Sequence, residues 1–286
     1  MQIGRVRWRL DGPLPPPEKL GFLRDYLTAG ADAELSVRIE LQPTPQPEGE
    51  LCWEDWYSRV YESSDERCVL RIGGPLNAPV PYAVLRWRAA SPDEQRLTMD
   101  DSNLPYTGDR LATALAMELG LHRHGHGILH AAWIERNGAA VWFSGASGIG
   151  KSTQADFWAA ERGAPIVNGD KAAFYFEDER VVACGLPFAG TSEYCKNRTM
   201  PLRAIIMIAR AEENLLVRLP LREAIRRLIA QMPVQRWCRE DLQAITDQAV
   251  RLAELVPVYQ LSCRKDPATV ALLDEELSKE EQLWNP

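Results

Sequence analysis

Apolar and polar residues alternate along residues 3–10 and along Leu35–Leu41, the period of a strand with one face toward a core. Apolar runs at 59–61, 68–72 and 82–87, set apart by turn signals at Asp65-Glu66 and Gly73-Gly74-Pro75, predict further strands. A short helix is predicted over residues 17–28, and the proline-rich stretch 42–47 is a turn. Residues 1–105 therefore read as a β-rich region, an antiparallel sheet with a polar face.

The period changes near residue 107. Thr107-Gly108-Asp109 opens a mostly apolar helix through Leu111, Leu115, Met117 and Leu119, ending near Gly120. Two buried strands, 128–134 and 139–143, flank Arg136-Asn137-Gly138, a strong hairpin signal. A helix is predicted over 150–160, then strands at 165–168, 172–176 and 181–184. The continuous apolar run 204–209 reads as a central strand. Amphipathic helices follow at 220–232 and 240–256, then a last strand at 258–261. Asp266 and Pro267 cap and open a final helix. Residues 106–286 thus predict an α/β domain on a mixed sheet, preceded by the β-rich region 1–105.

Composition narrows the function. The 286 residues carry 33 Lys and Arg against 40 Asp and Glu, a net charge of -7, which argues against a nucleic-acid partner. No 18-residue apolar run exists, so no membrane span is expected, and the first residues lack the apolar core of a signal peptide. The six cysteines are scattered, neither a disulfide framework nor a paired-thiol zinc site, and reduced thiols in a cytoplasm are expected.

The informative stretch is Gly145-Ala-Ser147-Gly148-Ile149-Gly150-Lys151-Ser152, which fits G-x-x-x-x-G-K-[ST]. An apolar strand runs into it and a helical segment leaves it, the context that motif requires. The glycines let backbone N–H groups close around phosphate oxygens, and the helix N-terminus adds its positive dipole end. Lys151 would neutralise the β- and γ-phosphates, and Ser152 would be a ligand of Mg²⁺. Asp170 follows Lys151 by only nineteen positions, earlier than the Walker-B aspartate of most P-loop NTPases. A carboxylate there accepts a proton from an attacking hydroxyl or holds Mg²⁺ through water, and the residues alone leave both roles open.

With His130 fifteen positions before Gly145 and Asp170 after the loop helix, this stretch resembles the HPr kinase/phosphorylase group, whose fold is the phosphoenolpyruvate-carboxykinase-like variant of the P-loop. The resemblance covers about residues 127–185 well and continues loosely beyond. It implies ATP and Mg²⁺ as cofactors, a nucleotide site over Gly145, Ser147–Ser152 and Thr153, and His130 near the phosphates. Two positions depart from the group. Its Asp-Asp pair is here Gly169-Asp170, and Thr153 stands where HPr kinases usually carry glutamate. The chain also resembles kinases that tailor ribosomally made peptides. HPr itself is not carried over as the substrate.

Other residues stay open. His122, His124, His126 and His130 alternate, as a metal site on one strand face would, and the same run reads as a loop after the helix. His130 reads equally as a core histidine. The loop 185–198 carries Lys196 and Arg198, which would bind substrate or transferring charge, or lie on a solvated surface. The expectation is an ATP- and Mg²⁺-dependent kinase with Asp170, Lys151 and His130 as catalytic groups, and Ser152 and Asp170 on the metal. The acceptor is a serine hydroxyl of a peptide or small protein. A small-metabolite kinase and an ATPase or switch without acceptor are the alternatives, and a homo-oligomer is left open.

Overall fold

A computed structural model describes residues 1–30, 32–190, 192–235 and 237–284. The chain is a mixed α/β protein of two compact units, Met1–His124 and Gly125–Pro286. The division falls after His124 rather than at 105/106.

In the first unit, β1 (Gln2–Ile3), β2 (Val6–Asp11), β3 (Leu35–Leu41), β4 (Glu50–Glu54), β5 (Ser58–Glu62), β6 (Glu66–Gly73), β7 (Val80–Arg88) and β8 (Ser91–Met99) form one sheet in the order β1-β2-β3-β8-β7-β6-β5-β4. The expected antiparallel sheet is mixed instead, because β3 runs parallel to both β2 and β8. Parallel neighbours need a crossover. The segment predicted as a helix supplies it as two 3-10 turns, Pro17–Lys19 and Gly21–Tyr26. β4 and β8 carry no alternation to read. β4 is an exposed edge, and β8 buries Gln95 and Thr98 among its apolar residues. Val37, Leu85 and Leu97 fill the core on one face of the sheet.

The predicted helix near 107–120 is two helices, α1 (Gly108–Ala114) and α2 (Met117–Arg123). Thr107 caps α1 by accepting from the Arg110 amide at 3.4 Å. The break is at Ala116, whose φ of 45° lies in the left-handed region. α1 belongs to this unit because it packs on the second 3-10 turn and on β7.

The second unit contains β9 (Gly127–Arg136), β10 (Ala139–Ser144), α3 (Lys151–Arg162), β11 (Ile166–Asn168), β12 (Lys171–Glu177), β13 (Arg180–Gly185), β14 (Thr199–Arg210), β15 (Leu215–Arg218), α4 (Leu221–Ile229), α5 (Arg239–Leu255), β16 (Val258–Cys263) and α6 (Ala268–Trp284). Asn137 and Gly138 both have positive φ, as the tight β9–β10 hairpin requires. β10 runs parallel to β14, and β14 parallel to β16. Pairings pass from β10 through β9, β12, β13 and β14 back to β10, so five strands close a ring.

β14 is buried on both faces, which is why its sequence is a continuous apolar run rather than an alternating one. Ile205 and Met207 join a core with Leu228 of α4 and Leu252 of α5. Ala204, Ile206 and Ile208 face Trp158 of α3 and Leu273 of α6. Trp133 and Trp142 are cross-strand partners with ring centroids 6.1 Å apart, both fully buried. Burial of each contributes about 3 kcal/mol. The unpredicted β15 is an exposed edge strand. No helix among the described residues is long and apolar enough to cross a membrane.

Candidate active site

The glycine loop leaves the C-terminal end of β10 and enters α3 at Lys151. Gly145, Gly148 and Gly150 have φ of 140°, 70° and 117°, conformations an L side chain rarely adopts. A Cβ at Gly148 or Gly150 would meet nothing within 4 Å, so the loop there borders open space. The amides of Ser147, Gly148 and Gly150 have no acceptor among the described residues. The first amides of α3 add the orphan donors of a helix start. This donor set fits a phosphate chain.

Lys151 lies across the loop, its Nζ donating to the carbonyls of Gly145 at 3.0 Å and Ala146 at 3.1 Å. Burial pulls its ammonium below the ordinary lysine range, while the charge of Asp170 pushes it back up. Ile149 and Ser152 are half-buried, as is Thr153 on the first turn. Arg210, at the end of β14, donates from Nη2 to the Gly148 carbonyl at 2.8 Å and pins the loop apex.

Beside the loop stands a second constellation. The Ser144 hydroxyl, last in β10, donates to the His130 carbonyl at 2.8 Å. His130 is on the next strand, β9, opposite Lys171 of β12. Its Nε2 lies 3.0 Å from Oδ1 of Asp170. The hydrogen bond from His130 holds the Asp170 carboxyl below the usual aspartate value. Burial opposes it, and the charges of His130, Lys171 and Lys151 add to it. Asp170 is therefore an ionised carboxylate at neutral pH, within electrostatic reach of Lys151.

Asn168 holds that carboxylate in place. It is fully buried, and its Oδ1 accepts from the amides of Asp170 at 2.8 Å and Lys171 at 3.1 Å. Its Nδ2 donates to the carbonyls of Leu186 and Phe188 at 2.9 and 3.0 Å. One side chain thus ties the Asp170 turn to the loop 185–198. The same loop closes on residue 169. A Cβ built at Gly169 would lie 1.7 Å from Ser192 Oγ and 2.4 Å from its Cβ. A side chain at residue 169 would therefore collide with Ser192 as that residue stands.

Sequence reasoning missed Asn168, Lys171 and Arg210. Asn168 and Lys171 flank Asp170 in sequence and were legible as a turn, but their bonds depend on the loop that folds over them. Arg210 is 62 positions from Gly148 and leaves no local signal.

Arg198 is placed elsewhere. Its guanidinium pairs with Glu135 at 2.6 Å, and Glu135 is five residues along β9 from His130. At about 3.3 Å per residue that is roughly 16 Å away. Lys196 is exposed, and the cations whose charge acts on Asp170 are His130, Lys171 and Lys151.

The other histidines disperse. His122 is buried in α2, His124 pairs with Asp93 at 3.2 Å, and His126 is buried against the Tyr175 ring at 5.0 Å. They are neither a solvated loop nor one face of a strand. No group of three or more His, Cys, Asp and Glu side chains among the described residues is arranged to hold a metal. Magnesium in phosphate sites asks for less, one or two protein oxygens beside the phosphates themselves. Ser152 and Asp170 have the chemistry to supply them.

No protein-family model matches the chain, and no curated protein matches it. Among solved structures it is similar to the Hpr(Ser) kinase/phosphatase from Coxiella burnetii, with 13% identity and a TM-score of 0.31 over 55% of this chain and 96% of that one.

Proposed function

We propose that the chain is an ATP- and Mg²⁺-dependent phosphotransferase that moves the γ-phosphoryl group to a hydroxyl, a serine of a peptide or small protein. One observation carries the reading. The glycine loop leaves β10 beside the His130–Asp170 pair, joined to it by the Ser144–His130 bond, with Lys151 and Asp170 acting on each other's charge.

The loop amides, Lys151 and Ser152 bind the triphosphate. Mg²⁺, when bound, neutralises charge on the phosphate oxygens, and Ser152 and Asp170 are the residues that would hold it. Asp170 accepts the proton of the acceptor hydroxyl as that oxygen bonds to the γ-phosphorus. The bond to the β–γ bridging oxygen breaks, and the nucleoside diphosphate leaves. His130 donates to Oδ1 and orients the carboxylate. Lys151 stabilises charge on the transferring group.

A second reading is hydrolysis without a bound acceptor, a slow ATPase or switch. The closed space at Gly169 favours it, since base and metal duties then fall on one carboxylate. A small-metabolite acceptor is the remaining variant.

The test is transfer of label from γ-labelled ATP with Mg²⁺ into a host extract, separated by size, with Lys151→Ala and Asp170→Asn as controls. Label in a peptide or protein, lost in both variants, supports the proposal. Label in small molecules keeps the chemistry and replaces the acceptor. Label released only as free phosphate supports the switch. No difference between the wild-type chain and Lys151→Ala overturns the phosphotransferase reading.

A further inference from the structure

On the first unit's sheet, the face opposite Val37, Leu85 and Leu97 carries a row of charges. Asp11, Arg38, Arg96 and Arg86 are successive Cα partners across β2, β3, β8 and β7. Three arginines therefore stand directly opposite one another on three adjacent strands, with Cβ atoms about 5 Å apart. Arg88 follows two residues after Arg86 on the same face. Like charges in that arrangement destabilise a sheet.

Internal partners do not resolve the repulsion. Arg86 alone is held, by Glu66 at 3.5 Å and the Gln46 carbonyl at 3.4 Å. The exposed side chains of Arg38, Arg88 and Arg96 make no hydrogen bond or ion pair among the described residues. All four line one cavity of about 280 Å³, together with Ser36 and Ser91. The carboxylates Asp11, Glu66 and Glu94 also line it; Glu66 is taken up by Arg86, and neither Asp11 nor Glu94 pairs with a neighbouring arginine.

The geometry points to a binding site here for a small phosphate ester. A phosphoryl dianion gathers two charges and three acceptor oxygens on one centre, which matches several guanidinium forks better than a single carboxylate. The unpaired Asp11 and Glu94 are acceptors for hydroxyls on the remainder of the ligand. The cavity holds a molecule of few atoms beyond the phosphoryl group. This site lies wholly within the first unit and rests on no reading of the glycine loop.

The test uses the full chain with Lys151→Ala, which disables the glycine loop, so that the two phosphate-binding regions are told apart. Calorimetric titration with inorganic phosphate, glycerol phosphate and citrate gives the affinities. The expected result is saturable binding of glycerol phosphate, tighter than of phosphate. Adding Arg38→Gln and Arg96→Gln should weaken it by about 10-fold to 100-fold. Without ligand, the Arg96→Gln chain should melt no lower than its parent, because a repulsion is removed. A merely structural arginine would lower the melting temperature. No binding by the Lys151→Ala chain, unchanged binding after the arginine substitutions, or citrate binding as tightly as glycerol phosphate would overturn the proposal. The arginine substitutions placed in the wild-type chain leave ATP transfer to report on the glycine loop alone.

Discussion

His130 and Asp170 are 40 positions apart, and their side chains meet at 3.0 Å because β9 and β12 are antiparallel neighbours with His130 opposite Lys171. That bond is the largest influence keeping the Asp170 carboxyl ionised. Its folded value lies below the unfolded one. The stability it lends is therefore present above the unfolded value near 3.8 and is lost as pH falls through the folded value. The Asp170 carboxylate is ionised throughout the neutral range.

Replacing His130 by alanine removes the leading downward influence and leaves burial, which pushes upward, against the charges of Lys171 and Lys151 alone. Asp170 should titrate at higher pH in His130→Ala, and the acid limb of kcat should move up with it. Carboxyl carbon NMR across about pH 2 to 6 measures the first, and a pH–rate profile the second. An unmoved titration would mean that the pair is not formed in solution.

Asp170→Asn keeps the shape and removes the carboxylate proposed as the base. Transfer should fall about 10²-fold to 10⁴-fold, with Kd for ATP in the absence of Mg²⁺ changed by less than about threefold. Lys151→Ala should instead weaken binding and transfer together, with transfer falling about 10²-fold or more. Nucleotide titration and single-turnover labelling separate the two patterns.

Asn168→Ala should destabilise the second unit by about 3 kcal/mol, because two carbonyls and two amides lose their partner in the interior. Denaturant unfolding gives the loss, and the looser Asp170 turn should lower kcat more than it raises KM.

Gly169→Ala should cost about 2 kcal/mol through its collision with Ser192, and Ser192→Gly added to it should restore part of that loss. Thermal unfolding of the single and double variants reads the coupling. Additive effects would show that the two residues do not meet.

Arg198→Ala should leave transfer within about twofold and stability within about 0.5 kcal/mol, since Arg198 forms a half-exposed surface pair far along β9. The labelling assay and a melting curve check both.

The glycine loop was legible in the chain because its conformational demand is local. Glycines at 145, 148 and 150, the lysine and the helix start are consecutive, and a backbone that must turn through positive φ announces itself by residue type. The β9–β10 hairpin and the buried strand β14 were legible for the same reason, through Asn137-Gly138 and an unbroken apolar run. Helix α1 was legible through its Thr107 cap.

What the tertiary structure decided is everything that depends on distant segments meeting. Parallel pairing of β2 with β3 follows from a crossover whose 3-10 turns the periodicity had read as one helix. The edge strands β4 and β15 face solvent and carry no alternation. Lys196 and Arg198 stand two positions apart in one loop, yet the loop folds so that neither joins the cations acting on Asp170. Gly169 reads as an ordinary turn glycine until Ser192 is packed against it. Residue type sets what a backbone can locally do. Which side chains stand beside Asp170 is set by strand register and by the loop that closes over it, and no span of contiguous residues contains that information.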